Sequence, residues 1–255
     1  MATTSRKEAQ EARRKARERF AMAERLEAEY MRAMRQLTRQ VDYIVKAMAP
    51  GGWVKDANQL QSVLRQYAKV ITPWAQSVAE RMVLRIARKD EAAWTQLGAS
   101  IGRELRKEIQ EAPTGDFLQL FLREQVHLIT SLPEDAADRV HKLTLEGITG
   151  AKRADEVAAE ILKTGQVTES RAKLIARTEI ARTASGLTMA RAQHVGSTHY
   201  IWRTSGDTDV RSSHKEMDGK IVPWANPPIL SDGTRTHAGM IYNCRCYPEP
   251  ILTED

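Results

Sequence analysis

The sequence predicts an α+β protein, with a mostly helical N-terminal half, then about three further helices, then a small loop-rich antiparallel β region. Three observations carry this. Apolar residues recur at steps of three and four as far as His194. Beyond Gly196 the chain changes to β-branched and aromatic residues in short alternations, broken by Gly, Pro, Asp and Asn. The composition, 42% hydrophobic and 28% charged over 255 residues, is that of a folded soluble chain and excludes wholesale disorder.

Ser5 followed by Glu8 is a capping-box start, and Pro50-Gly51-Gly52 is a stop, so one long helix lies between them. Its second half sets Tyr30, Met34, Leu37, Val41, Ile44, Val45 and Met48 in an apolar stripe that must pack on something. Its first half, Arg6 to Arg19, is Ala, Gln and charge with nothing to bury, and reads as a projecting arm. Residues 1–48 hold 12 Lys/Arg against 7 Asp/Glu, which accounts for nearly all of the net charge of +6. A basic arm on an almost neutral body points to phosphates or an acidic protein surface at that end.

Leu60, Val63, Leu64 and Tyr67 mark the next helix, and Val78, Met82, Val83 and Ile86 another, with Pro73 in its first turn. A segment through Leu97, Ile101, Leu105 and Ile109 follows. Ala112-Pro113-Thr114-Gly115 is a break before a helix from Phe117 to Leu128. Ser131 with Glu134 is a second capping box, opening a helix from Asp135 to Leu145, and the domain boundary is placed there: 1–131 and 132–255. Gly147 and Gly150 end that helix, Ala154 to Leu162 is a short one stopped by Gly165, and Thr168 caps the next, from Glu169 to His194.

Predicted strands are His199–Thr204, Lys220–Pro223 and Ile241–Tyr247, with Asp218-Gly219 as a hairpin turn and Asn226 to Gly239 irregular. Two cysteines one residue apart cannot build a disulfide framework, so reduced thiols or metal thiolates are expected. Neither a membrane span nor a secretory signal is legible, which places synthesis in the cytoplasm.

The helix carrying Arg177, Thr178, Glu179 and Arg182 is followed by Gly186, Ala190-Arg191, Trp202, Arg211, His214, Asp218-Gly219 and finally Asn243-Cys244-Arg245-Cys246. Their order and spacing resemble the phage head-morphogenesis domain, the Mu F-like minor head protein family, over roughly residues 132–250. The resemblance implies a structural, non-enzymatic virion protein, made in the host bacterial cytoplasm and present in few copies within a larger assembly. It would sit at the portal vertex or capsid interior, with portal or major capsid protein as partner, and would act in head assembly, DNA packaging or ejection. The helical half would dock on that partner, a reading motivated by the Tyr30-to-Met48 stripe.

Each motif residue also has a physical reading of its own. Arg177 and Arg182 pair with Glu179 and loop carbonyls to anchor the β region, or join Arg171 and Arg191 in binding phosphate. His214, His237, Cys244 and Cys246 are the donor set of a closed zinc site, although their spacing is not that of a zinc finger; the competing reading is plain packing of small thiols and hydrogen-bonded histidines. Trp202 and Trp224 are core residues. The arm, with Arg6, Lys7, Arg13, Arg14, Lys15, Arg17 and Arg19, would touch packaged DNA without sequence preference, or the portal. The rival functions are a metal-dependent nuclease built from His214, Asp218, His237 and Asn243, and a general DNA-binding protein.

Overall fold

The computed structural model describes residues 6–52, 54–100, 112–150 and 153–252, with side chains described from residue 21 onward apart from residues 51 and 98–100. Helix α1 spans Arg6–Ala47 and ends in a 3-10 turn at Pro50–Gly52; α2 is Ala57–Val70 and α3 Thr72–Ser100. Then come α4 at Thr114–Thr149, α5 at Ala154–Leu162 and α6 at Thr164–His194. Strand β1 is His199–Arg203, α7 Ser212–Lys215, β2 Ile221–Pro223 and β3 Tyr247–Pro250. The α+β reading therefore holds. The Ser5 cap, the arm's side chains and Ile101, Leu105 and Ile109 lie outside the described residues.

The described residues divide into two compact units, each drawing on both sides of residue 131. One takes its described residues from Met1–Ala28, Met82–Phe121 and Arg177–Asp255; the other comprises Glu29–Arg81 and Leu122–Ala176. In the latter, the α1 stripe is already covered: Tyr30, Met34, Leu37, Val41, Ile44 and Val45 are buried, and Met48 is half-buried. The Tyr30 hydroxyl donates to the buried Gln125 Oε1 at 3.1 Å. A stripe inside the chain's own core is not a docking face, so that motive for portal docking falls.

Asp56 caps α2 through the Gln59 N–H at 2.9 Å, and Leu60, Leu64 and Ala68 face inward. Pro73 sits in the first turn of α3, as its fixed φ suits. Two helix-boundary expectations are corrected. No break occurs at Ser131, because α4 runs straight through Pro133. Burial of Ile129, Leu132, Ala136 and Val140 along one face holds the helix together despite the lost N–H. Nor does Gly165 stop a helix or Thr168 cap one, since α6 starts at Thr164. The Thr168 hydroxyl donates back to the Thr164 carbonyl at 2.9 Å, and Gly165 is needed for closeness: a Cβ there would lie 2.2 Å from Asp42 Oδ1.

In the other unit the sheet order is β2-β1-β3, antiparallel throughout. Tyr200 and Trp202 point from β1 into a core that includes Trp224, Val222, Met217, Leu230, Cys244 and Cys246, and Trp94 of α3 joins it. The third strand is displaced from its expected place at Ile241–Tyr247. Asn243 takes φ 54°, which ends extended structure there. Pairing begins instead at Tyr247, and its prolines, Pro248 and Pro250, are tolerated because β3 is an edge strand. Asp218-Gly219 does not close a two-residue hairpin either; β1 and β2 are separated by a long excursion through α7, which Gly219, at φ 80°, returns to the sheet. Among the described residues no helix is long and apolar enough to cross a membrane.

Candidate functional site

The site is the turn Asn243 to Cys246, held from three directions. From α6, the Thr178 hydroxyl accepts the Asn243 N–H at 2.9 Å, and Arg177 donates to Asn243 Oδ1 at 3.0 Å. Neighbouring residues on a helix point about 100° apart, so one reaches the backbone and the other the amide of the same Asn. Arg177 also pairs with Glu27 at 3.5 Å. Glu179 is buried, with Arg182 at 3.6 Å. From the loop after β1, Asp207 and Asp209 meet Arg245 at 2.8 and 3.4 Å.

The third direction is α7. Arg211 immediately before it donates to the Tyr242 carbonyl at 3.1 Å and lies 5.1 Å over that ring. Ser213 donates to Asp232 at 2.7 Å, and Asp232 also accepts the Thr234 N–H at 2.9 Å. The Thr234 and Ser213 hydrogen bonds hold the Asp232 carboxyl down at about 2. These contacts fix His214, which is 1% exposed, edge-on to Trp202 at 5.4 Å between centroids.

His214 Nδ1 lies 3.4 Å from Cys246 Sγ and 3.5 Å from Cys244 Sγ, and both cysteines are free and buried. The three donor groups lie within 4.8 Å of one another, close enough to share a metal ion. The Cys246 N–H donates to Cys244 Sγ at 3.4 Å. A hydrogen bond from the Cys246 thiol, helped by His214, lowers the Cys244 thiol, while the same bond and burial raise that of Cys246.

His237, expected beside these cysteines, is elsewhere. Its Nδ1 is 3.1 Å from the Tyr200 hydroxyl and its ring packs by Tyr200 and Trp224; burial lowers its pKa. Asp218 accepts the Thr204 N–H at 2.8 Å, and Asn243 is engaged with α6. The four groups of the nuclease reading are thus each committed to separate local contacts. Trp202 and Trp224 are core, Trp224 donating to Ser197 Oγ at 3.2 Å. Arg171 belongs to the other compact unit, paired with Asp135 at 2.7 Å.

The sequence reading missed Asp90 and Trp94 of α3. Asp90 accepts from Arg191 Nε at 2.7 Å and from the Thr188 hydroxyl at 2.9 Å, with the two charged side chains only 7% and 5% exposed. Nothing local marks Asp90, which stands in a charged run.

Residues 138–248 match the family model described as Phage Mu protein F like protein, a span that contains the turn and the residues of α6, α7 and the loop after β1 that hold it. Residues 138–248 are thus a Mu F-like segment. An uncharacterised protein of Haemophilus influenzae is 32% identical over 207 residues, covering 80% of this chain and 45% of that protein. The minor head protein GP7 of Bacillus phage SPP1 is 25% identical over 150 residues, covering 52% of this chain and 49% of that protein. The chain spans about half the length of these relatives. No solved structure matches it.

Proposed function

We propose that the chain is a non-enzymatic minor head protein, assembled in several copies with portal or major capsid protein and acting in head assembly and in holding or releasing the packaged genome. One observation carries the structural part of this reading. The residues that make the Mu F-like motif are engaged in fastening one turn to α6, α7 and the loop after β1, and the groups a nuclease would use are each held in hydrogen bonds of their own. Such a motif builds a rigid body for assembly. The name of the SPP1 relative supports the setting.

A contact with phosphates is supported by α1. Arg32, Arg35 and Arg39, with Tyr43, border an exposed stretch of that helix, continuing the basic character of the arm. Cations on one face release counterions from a nucleic-acid backbone whatever its sequence.

The test is made in the phage or prophage that encodes the chain. Particles purified after disabling the gene should be fewer or misassembled, and the wild-type chain should be found in intact heads. The Arg177→Ala/Asn243→Ala variant should enter heads several-fold less than wild type. Normal particles lacking the chain would overturn the proposal, as would DNA nicking by the purified protein that His214→Ala abolishes.

A further inference from the structure

We infer that His214, Cys244 and Cys246 bind a thiophilic divalent cation of the zinc type, with a water molecule as its fourth ligand. Four features of the fold support this.

The first is distance. For tetrahedral zinc with Zn–N near 2.0 Å and Zn–S near 2.3 Å, the edge between a nitrogen and a sulfur ligand is about 3.5 Å. The two Nδ1 to Sγ separations are 3.4 and 3.5 Å. The second is proton counting. Among the described residues the far nitrogen of His214, Nε2, is buried without a hydrogen-bond partner, so Nδ1 carries the ring's polar contacts, and these are with the two sulfurs. In either neutral tautomer Nδ1 makes one hydrogen bond, as donor or as acceptor, yet it faces two sulfurs at nearly equal distance. A cation satisfies the lone pair and both sulfurs together.

The third is space. All three side chains line one cavity of about 30 Å³, bordered also by Arg177, Asn243 and Arg245. A water needs roughly 10–15 Å³ of such volume, so the cavity accommodates one beside the three ligands. The fourth is chain connectivity. His214 on α7 and Cys244 are 30 residues apart, and most of the chain between them has no regular structure. A metal clip closing a segment of that kind restricts the unfolded chain and stabilises the folded one. His237 is no ligand, being held by Tyr200.

The full-length chain, purified without chelator from zinc-supplemented culture, is expected to carry one zinc per molecule by elemental analysis. Replacing zinc with cobalt(II) should give sulfur-to-cobalt charge-transfer absorption and the intense visible bands of four-coordinate cobalt. A strong chelator should lower the unfolding temperature of the wild type. Losing an outer-shell partner alone costs about 10–100-fold in metal affinity, so Cys246→Ser and His214→Ala should each weaken zinc binding at least tenfold. His237→Ala should keep its zinc. The cobalt spectrum and the zinc content of the unaltered protein do not depend on whether a variant folds. Metal-free wild-type protein that takes up no cobalt would overturn the assignment, and so would zinc retained in His214→Ala but lost in His237→Ala.

Discussion

Asp90 follows Arg88 and Lys89 and precedes Glu91, a run that reads as a solvated helix face, yet its carboxylate is buried against Arg191 and Thr188. Removing one partner of a buried pair strands the other charge away from water, at a cost of about 3–5 kcal/mol, whereas replacing both with apolar groups is often near neutral. Asp90→Ala should therefore lower stability by about 3–5 kcal/mol in denaturant unfolding. Asp90→Leu/Arg191→Met should recover most of the loss; equal losses in both variants would show that the ion pair is not what matters. The contrast with Asn243 shows which single residues a sequence reveals. Asn tolerates the left-handed region better than other side chains, so an Asn beside a Cys-x-Cys was legible as a turn signal, although the reading assigned it to a strand. A buried ion pair between residues 101 apart has no such local mark.

At the scale of elements, local signals failed where tertiary packing outweighed them. Pro133 and the Ser131 capping box argued for a new helix, but a stripe of four buried apolar side chains spans the proline. Hydrophobic burial of about 1.5–3 kcal/mol per large side chain, summed over that stripe, outweighs one missing hydrogen bond. Gly165 was read as punctuation and Gly186 as part of the motif, and both are points of close approach. Gly186 makes this testable. In an open helix Gly→Ala stabilises by up to about 1 kcal/mol. Here a Cβ would lie 2.7 Å from Phe121 Cζ, and that ring is buried. Overpacking costs typically about 1–3 kcal/mol, so Gly186→Ala should lower the thermal midpoint despite its better propensity. The same change in a Phe121→Leu background should be neutral or stabilising relative to Phe121→Leu alone, because the space is then free. A rise in the midpoint of the single variant would mean that the ring moves aside at no cost.

At the scale of the whole molecule, the helical first part, the short β region and the identity of the motif were legible, because periodicity and motif order are written along the chain. What was not legible is which distant segments complete each core. Trp94 of α3 lies in the same apolar cluster as Tyr200, Trp202 and both cysteines, and Asp90, one turn earlier, neutralises Arg191. The similarity to the Haemophilus protein covers 80% of the chain, well beyond the family segment at residues 138–248. These observations bear on a cut at the sequence boundary. A fragment of residues 132–255 would keep the sheet, α7 and the cysteine turn but lose Trp94, Asp90, Phe121 and Glu27. It would leave Arg191 without its carboxylate and the aromatic cluster open on one side. Such a fragment should retain helical circular dichroism, bind a hydrophobic dye and melt without a cooperative transition, as a chain does when secondary structure outlasts specific packing. A fragment covering residues 82–255 restores Asp90, Trp94 and Phe121, and should regain a sharp transition for the motif-bearing unit. If residues 132–255 alone melt cooperatively and bind no dye, then α3 is an accessory to that core rather than a part of it.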